Sequence, residues 1–417
     1  MIRVLHVSNQ FSDGGAARAA KRLCDAQLGI GLEVSGMASL PGVPDEYEFP
    51  IHTVGNLQSR VSSKVEEGLL ALTGLKDGNT RNLGLLPSAV PRRVNKLALD
   101  VVNLHWVGRS TLAGWQLSNF DFPVVWTLHD LWAASGALHY PTSANGRFDA
   151  EAASFFASQY TRRSLFIERT LMTLKTHSLE NVTFVAPTEW LAQELASRIN
   201  LEMLDIRQVP IPIPTNVFAP SPKIEARSRF NLPEDRPLVG FAAATGDSYA
   251  VKGAYLLPQI GAVIHQQVPE AVMVAITANA HQPSDVFDHR PRIDMVNLAP
   301  IGNDRELASY YSALDVLVVP SLIDNFNQVA AEALACGTPV VAFDNSGLTT
   351  VIDDGSTGFL AAAFDPSDLG DKAAWLLRND SVRWSMAQAA RARALNEWSY
   401  ETVANQYEDV YRSVLLS

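Results

Sequence analysis

Cysteine and long apolar runs are scarce in this sequence of 417 residues. The two cysteines, Cys24 and Cys336, lie far apart and each falls in a predicted helix, so neither a disulfide framework nor a cysteine metal cluster is indicated. No apolar segment is long enough for a secretory core or a membrane span, and the mean hydropathy is close to zero. The chain enters a predicted strand at Ile2, and we expect a cytoplasmic protein.

Several nucleotide and metal motifs are also missing. The sequence has no Gly-x-Gly-x-x-Gly fingerprint and no Walker lysine, which disfavours proteins that bind NAD or ATP. It has no Asp-x-Asp pair of the kind that holds a metal-bound diphosphate, so nothing visible requires a divalent ion. We therefore expect neither a cofactor nor a metal.

A basic tract is absent as well, and the formal net charge is -11, which disfavours nucleic acid as a partner. The excess of acidic residues lies mainly after Thr215. The first half has two local basic clusters, Arg92, Arg93 and Lys96, and then Arg162, Arg163, Arg169 and Lys175. The second cluster could rest on an anionic membrane surface as a peripheral contact. An ordinary amphipathic helix packed on a sheet is the favoured interpretation.

Apolar runs alternate with helical or loop segments in two series, which is typical of α/β proteins with parallel sheets. The predicted strands of the first series are 4–7, 34–40, 101–106, 124–128 and 182–186, and those of the second are 238–241, 272–276, 295–298, 316–319 and 340–343. The proline-rich stretch 209–216 between them cannot be helical and is interpreted as a linker. Two doubly wound domains are predicted, although alternation alone fits many Rossmann-like pairs.

The segment 320–341 carries the strongest signal of a binding site. The apolar run 314–319 predicts a buried strand, Asn325 and Gln328 have the spacing of a capping box, and Gly337 ends a helix expected to start near Phe326. Free N–H groups at such a helix start suit a diphosphate. Glu332 could then accept hydrogen bonds from ribose hydroxyls, and Asp324 could bind a sugar hydroxyl. The alternative is that Asp324 only favours the helix dipole and Glu332 lies in solvent.

This segment resembles the donor-binding signature of the retaining GT-B glycosyltransferases of glycosyltransferase family 4. In that signature two Glu residues separated by seven others precede a run like the Ala-Cys-Gly-Thr-Pro-Val-Val at 335–341; here the first acid is Asp324, whose side chain is about one methylene shorter. The resemblance implies a GT-B fold, with two Rossmann-like domains facing across a cleft. It assigns 1–214 to the acceptor and 215–398 to the nucleotide-sugar donor. A final amphipathic helix, about 399–417, would cross back onto the first domain.

The same resemblance places further site residues. Gly14 and Gly15 follow the first strand and would approach the donor phosphate or the acceptor, although a lone Gly-Gly is weak evidence. His129 ends a strand and could bind a donor-sugar hydroxyl, unless it is a structural histidine bonded to Asp130. His105, at another strand end, is assigned to packing. The run 129–140 resembles a polysaccharide-assembly subgroup, whose members often carry Cys where Ala137 stands.

The role of neutralising the charge on the departing diphosphate is assigned to Lys252. The alternative is that Lys252 is an ordinary surface lysine. The family's usual second cation, an Arg, has no counterpart at 242–245 or at Val251. The predicted catalytic residues are thus His129, Asp324 and Lys252. The predicted donor contacts are Gly14, Gly15, Thr245, Lys252, Asn325, Phe326, Asn327, Gln328 and Glu332.

The resulting hypothesis is a metal-independent retaining glycosyltransferase. It would move a hexosyl group from a nucleoside-diphosphate sugar, such as a UDP- or GDP-sugar, to a polysaccharide, lipopolysaccharide or lipid-linked acceptor. It would act in the cytoplasm or at the inner face of the membrane. Two alternatives remain: a GT-B nucleotide-sugar epimerase or sugar-phosphate synthase, and a non-catalytic partner that binds a sugar nucleotide.

Overall fold

A computed structural model describes residues 1–40, 47–54, 56–72, 81–140, 162–199, 204–243, 251–277 and 293–416. The chain divides into two compact units. The first unit comprises Met1–Pro212 together with Tyr400–Ser417, and the second comprises Ile213–Ser399. Each unit is built around its own parallel sheet, as expected for an α/β protein with two Rossmann-like domains.

The described residues of the first unit form a seven-stranded sheet in the order β3-β2-β1-β4-β5-β6-β7, with all neighbouring strands parallel. The strands are β1 (Arg3–Ser8), β2 (Glu33–Ala38), β3 (Ile51–Thr53), β4 (Val101–Leu104), β5 (Val124–Thr127), β6 (Val182–Ala186) and β7 (Asp205–Gln208). The α-helices before the linker are α1 (Gly15–Gly29), α2 (Asn56–Leu72), α3 (Val90–Val94), α4 (Arg162–Thr176) and α5 (Glu189–Arg198).

Alternate residues of these strands face two separate apolar layers. On one face Leu5 and Trp126 join a cluster that includes Val90 of α3 and Leu191 of α5. On the other face Val4, Val101 and Val125 pack against α1. Burial on both faces explains why the central strands are nearly continuous apolar runs in the sequence.

The second unit has a six-stranded sheet in the order β10-β9-β8-β11-β12-β13 among its described residues, again with parallel neighbours. Its strands are β8 (Leu238–Ala242), β9 (Val272–Ile276), β10 (Asp294–Leu298), β11 (Val316–Val319), β12 (Val340–Phe343) and β13 (Gly358–Ala361). Its α-helices are α6 (Lys223–Arg229), α7 (Leu257–Gln267), α8 (Asp304–Ala313), α9 (Gln328–Ala335), α10 (Leu348–Val351), α11 (Pro366–Arg378) and α12 (Asp380–Glu397).

The last helix, α13 (Tyr400–Leu416), belongs to the first unit and packs on α1. Its aromatic stripe is buried, since Tyr407 is 1% and Tyr411 0% exposed. Both hydroxyls form hydrogen bonds with polar side chains of the sheet, Tyr407 with Thr127 and Tyr411 with Asn103. The predicted return of the C-terminal helix to the first domain is therefore confirmed.

Helix α4 contains the second basic cluster identified in the sequence, but one of its basic residues is buried. Lys175 is only 2% exposed, and its Nζ donates to the carbonyl oxygens of Trp132 and Ser135 at 2.6 and 2.8 Å. Burial lowers the pKa of Lys175 to about 7. Phe166 is instead 71% exposed, so the helix presents an apolar ring to the surface and places one basic group inside.

Three strands have no counterpart in the prediction: β3, β7 and β13. β3 and β7 end their sheet and are largely exposed or half-buried, so they lack the apolar run that marks a central strand. Within the described residues, no helix is both long and apolar enough to cross a membrane.

Candidate active site

In each sheet, the order of strands reverses beside the first strand of the unit. β1 lies between β2 and β4, and β8 lies between β9 and β11. At such a reversal the crossover helices lie on opposite faces, which leaves a crevice at the carboxyl ends of the strands. The segments that follow β1, β4, β8 and β11 are therefore the places where each unit can hold a ligand.

In the second unit, the segment after β11 leads into helix α9, which begins two residues later than predicted. The N-cap is Asn327, whose Oδ1 accepts a hydrogen bond from the backbone N–H of Ala330 at 2.7 Å. The predicted capping box of Asn325 and Gln328 is thus wrong. Either asparagine is a suitable cap by residue type, and the course of the loop selects Asn327.

Asp324, Lys252 and Asn327 form one polar cluster at this edge of the sheet. Asp324 Oδ2 accepts from Lys252 Nζ at 2.5 Å and from Asn327 Nδ2 at 2.6 Å. The Asp324 side chain is 8% exposed and that of Lys252 is 30% exposed. Lys252 is therefore ion-paired with a buried carboxylate and partly exposed.

Gly253 allows the Lys252 segment to approach the end of β11. Its φ is +70°, in the left-handed region, and a Cβ there would lie 1.9 Å from the carbonyl oxygen of Pro320. A residue with a side chain would push the two segments apart. In the sequence, only the Lys252-Gly253 pair indicated this approach. The approach itself depends on β8 and β11 being neighbours in the sheet.

The backbone of Asp324 is fixed by a turn that the sequence reasoning missed. Its N–H donates to Ser346 Oγ at 3.0 Å, and its carbonyl oxygen accepts from the N–H of Gly347 at 2.8 Å. A Cβ on Gly347 would lie 2.0 Å from the carbonyl oxygen of Asn325. The run Asn345-Ser346-Gly347 after β12 consists of residues that are common in turns, and this composition could have indicated the turn.

Glu332 is buried, at 3% exposed, rather than in solvent. Its Oε2 accepts a hydrogen bond from the hydroxyl of Tyr311 on α8 at 2.9 Å. Burial, followed by the charge of Glu332, raises the pKa of Tyr311 well above its usual value, so Tyr311 stays a donor. The alternative in which Glu332 lies in solvent is excluded.

The remaining predicted donor contacts have different surroundings. The ring of Phe326 is buried and meets Trp398 edge to face, with ring centres 6.0 Å apart. Asn325 is buried as well, whereas Gln328 is half-buried in the first turn of α9. Thr245 lies outside the described residues. Because the ring of Phe326 is buried, any contact between Phe326 and a ligand is expected from its backbone.

In the first unit, Gly14 is the N-cap of α1, with φ 91° and ψ 163°. This conformation is almost restricted to glycine. Gly15 is the first residue of the helix, and the first turn has no acidic side chain and no side-chain cap. The backbone N–H groups at this end of α1 are therefore suited to an anion or a hydroxyl of a ligand.

His129 follows β5 and is half-buried. Its Nε2 lies 3.0 Å from Nδ1 of His105, whose Nε2 lies 2.8 Å from Nδ1 of His6. His105, assigned to packing from sequence, is thus hydrogen-bonded through both ring nitrogens. Asp130 forms hydrogen bonds with His139 and with the backbone N–H of Trp132.

The three histidines form a neutral column. Burial lowers the pKa of both His6 and His129 to about 4. The pKa of His105 lies well below its usual value because of burial and then because of its two histidine neighbours. Neutral imidazoles each carry one proton, so each can donate through one nitrogen and accept through the other.

The segment after His129 is held by buried contacts. His139 Nε2 accepts from Asn82 Nδ2 at 2.5 Å, and Trp106 Nε1 lies 3.2 Å from His139 Nδ1. The backbone N–H groups of Gly136 and Ala137 donate to Glu168 of α4. These contacts order a loop beside the histidine column. Among the described residues, no group of three or more His, Cys, Asp or Glu side chains is placed to hold a metal ion.

Comparison with known proteins defines the class. Residues 225–393, which lie within the second unit, match the family described as glycosyl transferases group 1. A protein of Xylanimonas cellulosilytica named D-inositol 3-phosphate glycosyltransferase is 32% identical over 330 residues, covering 75% of this chain and 71% of that protein. The chain belongs to the group 1 glycosyltransferases and is an enzyme of that class.

Other relatives of the same name extend over different lengths. The protein of Streptosporangium roseum is 27% identical over 413 residues, covering 95% of this chain and 87% of that protein. The protein of Nocardioides sp. is 32% identical over 245 residues, so the match spans about half of each, 55% of this chain and 53% of the relative. The activity given in each name belongs to the whole relative and not to the matched part alone.

Solved structures give the same fold. Sucrose-phosphate synthase of Thermosynechococcus elongatus has a TM-score of 0.69 at 20% identity, covering 100% of both chains. Anabaena HepE in complex with UDP and glucose also has a TM-score of 0.69, at 15% identity, covering 99% of this chain and 100% of that one. The predicted GT-B class of two parallel-sheet α/β domains is confirmed.

Proposed function

We propose that this chain is a retaining hexosyltransferase that uses a nucleoside-diphosphate sugar as donor. The observation that carries the proposal is the Lys252, Asp324 and Asn327 cluster, because it joins a cation and a carboxylate at the strand-order reversal of the unit that matches the family. Such a cluster can bind both the charged and the hydroxylated parts of a sugar nucleotide.

Lys252 would neutralise the leaving diphosphate. Its ammonium group is partly exposed, so it could contact a phosphate while keeping Asp324 as its second partner. The backbone N–H groups at the start of α9 would add dipolar stabilisation near Asn325, Phe326, Asn327 and Gln328. With these groups carrying the charge, the reaction is proposed to proceed without a metal ion or cofactor.

Asp324 would position the donor sugar, and Glu332 would bind the ribose. The hydrogen bond from Tyr311 holds Oε2 of Glu332 in place. Asp324 is similarly fixed, since its Oδ2 has two donors and its backbone has two partners. Preoriented carboxylates lose little conformational freedom when a sugar hydroxyl binds.

In the first unit, His129 would contact a hydroxyl of the transferred sugar, and Gly14 and Gly15 would contact the donor phosphate or the acceptor. The first turn of α1, which has neither an acidic residue nor a capping side chain, supports the glycine assignment. The position of His129 directly beyond β5 supports the histidine assignment. Retention of the anomeric configuration follows the family resemblance. It is checked by the anomeric proton coupling of the isolated product.

The proposed acceptor is a polysaccharide, a lipopolysaccharide or a lipid-linked glycan. The names of the curated relatives favour D-inositol 3-phosphate as a second candidate. Peripheral membrane contact is proposed only with a lipid-linked acceptor, where exposed Phe166, Arg169 and Leu174 of α4 would meet the lipid surface.

A donor and acceptor matrix tests the proposal. Purified protein is incubated with UDP-, GDP-, ADP- and dTDP-sugars, each with and without a glycan, a lipid-linked glycan or inositol 3-phosphate. Transfer with any pair supports the proposal. Conversion of the donor alone into an isomer or a sugar phosphate would favour an epimerase or synthase. Donor binding with neither transfer nor hydrolysis would favour a non-catalytic partner.

Site variants test the residue roles. Lys252→Ala and Glu332→Ala should each reduce donor affinity or turnover by about tenfold or more. Arg92→Ala is the matched control, since Arg92 is an exposed cation of the first unit with no proposed ligand contact. Unchanged kinetics in both site variants would refute the donor-site assignment.

A further inference from the structure

The segment that follows β4 lies at the strand-order reversal of the first unit and is tied to the end of β1. The backbone N–H of Asn9 donates to the carbonyl oxygen of Trp106 at 2.8 Å. The side chain of Asn9 donates through Nδ2 to Thr111 Oγ1 at 3.0 Å. These contacts hold the segment beside the crevice where a parallel sheet binds its ligands. We call residues 105–111 the β4 loop.

The β4 loop contains two consecutive residues in the left-handed region, Arg109 with φ 50° and Ser110 with φ 58°. Residues with a side chain rarely adopt this conformation, because their Cβ crowds the backbone. Of the other described non-glycine residues with positive φ, no two are adjacent. Such a backbone persists only where its surroundings hold it, and it is concentrated at active sites and ligand clamps.

Three hydrogen bonds hold this strained turn. The backbone N–H of Arg109 donates to Asn82 Oδ1 at 2.6 Å, and its carbonyl oxygen accepts from Ser63 Oγ at 3.1 Å. The hydroxyl of Ser110 donates to Oε2 of Glu66 at 3.0 Å, and Glu66 is only 4% exposed. Ser63 and Glu66 both lie on α2, so this helix holds the turn at two points. The backbone that carries the Arg109 side chain is thus fixed by the protein itself.

The side chain of Arg109 takes no part in these contacts. It is exposed, whereas the residues on either side of it, Gly108 and Ser110, are buried. Among the described residues, none forms a hydrogen bond or an ion pair with its guanidinium group. Arg3 of the same unit is different, since it is paired with Asp100 at 2.7 Å. The strained backbone therefore presents an unpaired cation at the carboxyl edge of the sheet.

The needs of the fold do not explain an arginine at this position. Glycine adopts a positive φ at much lower cost, and the Arg109 side chain adds no hydrogen bond or ion pair to the described structure. What distinguishes arginine from glycine here is a permanently charged, planar group with five N–H donors. This group binds phosphate through two parallel hydrogen bonds.

The role of the first unit selects the ligand that carries the phosphate. The diphosphate of the donor is proposed to meet Lys252 and the start of α9, which belong to the second unit. The family resemblance assigns the first unit to the acceptor. An anion bound by Arg109 therefore belongs to the acceptor.

We propose that Arg109 is a specificity-determining residue that binds a phosphate group of the acceptor, so that phosphate-bearing acceptors are preferred over neutral glycans. This inference rests on the proposed function and narrows its acceptor class. A phosphate monoester of a polyol and the diphosphate of a lipid-linked glycan share this chemistry. The test distinguishes these two sources.

Equilibrium binding of acceptor probes to the donor-free protein, measured by calorimetry, tests the proposal. The probes form two pairs: inositol 3-phosphate with inositol, and a short-chain lipid-diphosphate disaccharide with the same disaccharide without phosphate. In at least one pair, the phosphate-bearing probe should bind the wild type about tenfold or more tightly than its neutral counterpart. The pair that shows this preference identifies the source of the phosphate. Equal affinity within both pairs, or no binding of any probe, would overturn the proposal.

Charge variants assign the preference to one residue. Arg109→Gln should weaken binding of the phosphate-bearing probe about tenfold and leave the neutral probe unchanged. Arg109→Lys keeps the charge but not the planar fork, and it should keep part of the preference. Arg92→Gln is the matched control, because Arg92 is an exposed cation of the same unit, and it should keep the full preference. A preference that survives Arg109→Gln would refute the assignment.

Arg109→Gly separates recognition from the strain of the backbone. Glycine relieves the left-handed conformation, so the thermal midpoint should stay the same or rise while the preference for phosphate is lost. A lower midpoint would show that the side chain serves the fold, and it would overturn the proposal.

The proposed function and this inference can fail separately. The binding measurements need no donor, so a preference that depends on Arg109, without transfer from any donor, would refute the proposed function and leave this inference standing. Transfer to neutral acceptors with no preference for phosphate would have the opposite meaning.

Discussion

Acid should destabilise the first unit through its buried histidines. The perturbation is a fall in pH from 7 to 5, a range in which exposed histidines become charged. His6 and His129 have pKa values of about 4 in the folded protein against a reference of 6.5. Between these values the unfolded chain binds protons that the folded chain excludes. The stabilisation is therefore complete above pH 6.5 and is lost as pH falls toward 4.

The size of the loss follows from the pKa differences. At pH 5 each of the two histidines costs about 2 kcal/mol of unfolding free energy relative to pH 7. Because the rings are neighbours, they titrate as a coupled set, and the two values are not simply additive. Lys175, whose pKa is about 7, is largely protonated in both states below pH 6 and adds little to the slope there.

Equilibrium unfolding in urea at pH 7, 6 and 5 measures this loss. A short hydrogen-exchange pulse at one fixed pH, read on peptides that contain β1 and β4, restricts the measurement to the first unit. His6→Gln should reduce the pH slope by roughly one proton, about 1.4 kcal/mol per pH unit. His52→Gln, at an exposed position, is the control and should keep the wild-type slope. Equal slopes in the wild type and His6→Gln would refute the reasoning.

Three further changes probe the second unit. Tyr311→Phe removes a buried donor to Glu332 and should cost about 1–3 kcal/mol in urea unfolding; a loss below the measurement error would contradict the contact. Asn327→Ala removes the cap of α9 and a donor to Asp324, and should lower stability by about 1–2 kcal/mol, whereas Asn327→Ser, which keeps a capping hydroxyl, should lose less. Asp324→Glu moves the carboxylate outward by one methylene and should change the ratio of kcat/KM values among donor sugars, while unchanged ratios would show that Asp324 does not select the sugar.

The sequence was sufficient for the features that depend on local pattern. The apolar runs at β8 and β11 and the periodic aromatic residues of α13 predict their elements, because strands buried on both faces and amphipathic helices have distinctive spacing. The segment around Asp324 and Glu332 was recognisable because its proposed site residues are close in sequence.

Other features depended on neighbours that are distant in the chain. The half-exposed edge strand β7 has no apolar run, so its pairing with β6 defines it. Asn327 rather than Asn325 caps α9 because the loop places Asn327 beside Ala330. The contact between Lys252 and Asp324 requires β8 and β11 to be neighbours in the sheet.

The first unit shows the same division most clearly. Residue type and strand-end position singled out His129, because parallel strands place their carboxyl ends at one edge. They could not reveal the contact of His129 with His105, nor the contacts of His6 with His105 and Gln27. Those contacts arise from register between strands and from the packing of α1 and α13, since a hydrogen bond needs atoms about 3 Å apart whatever their separation in sequence.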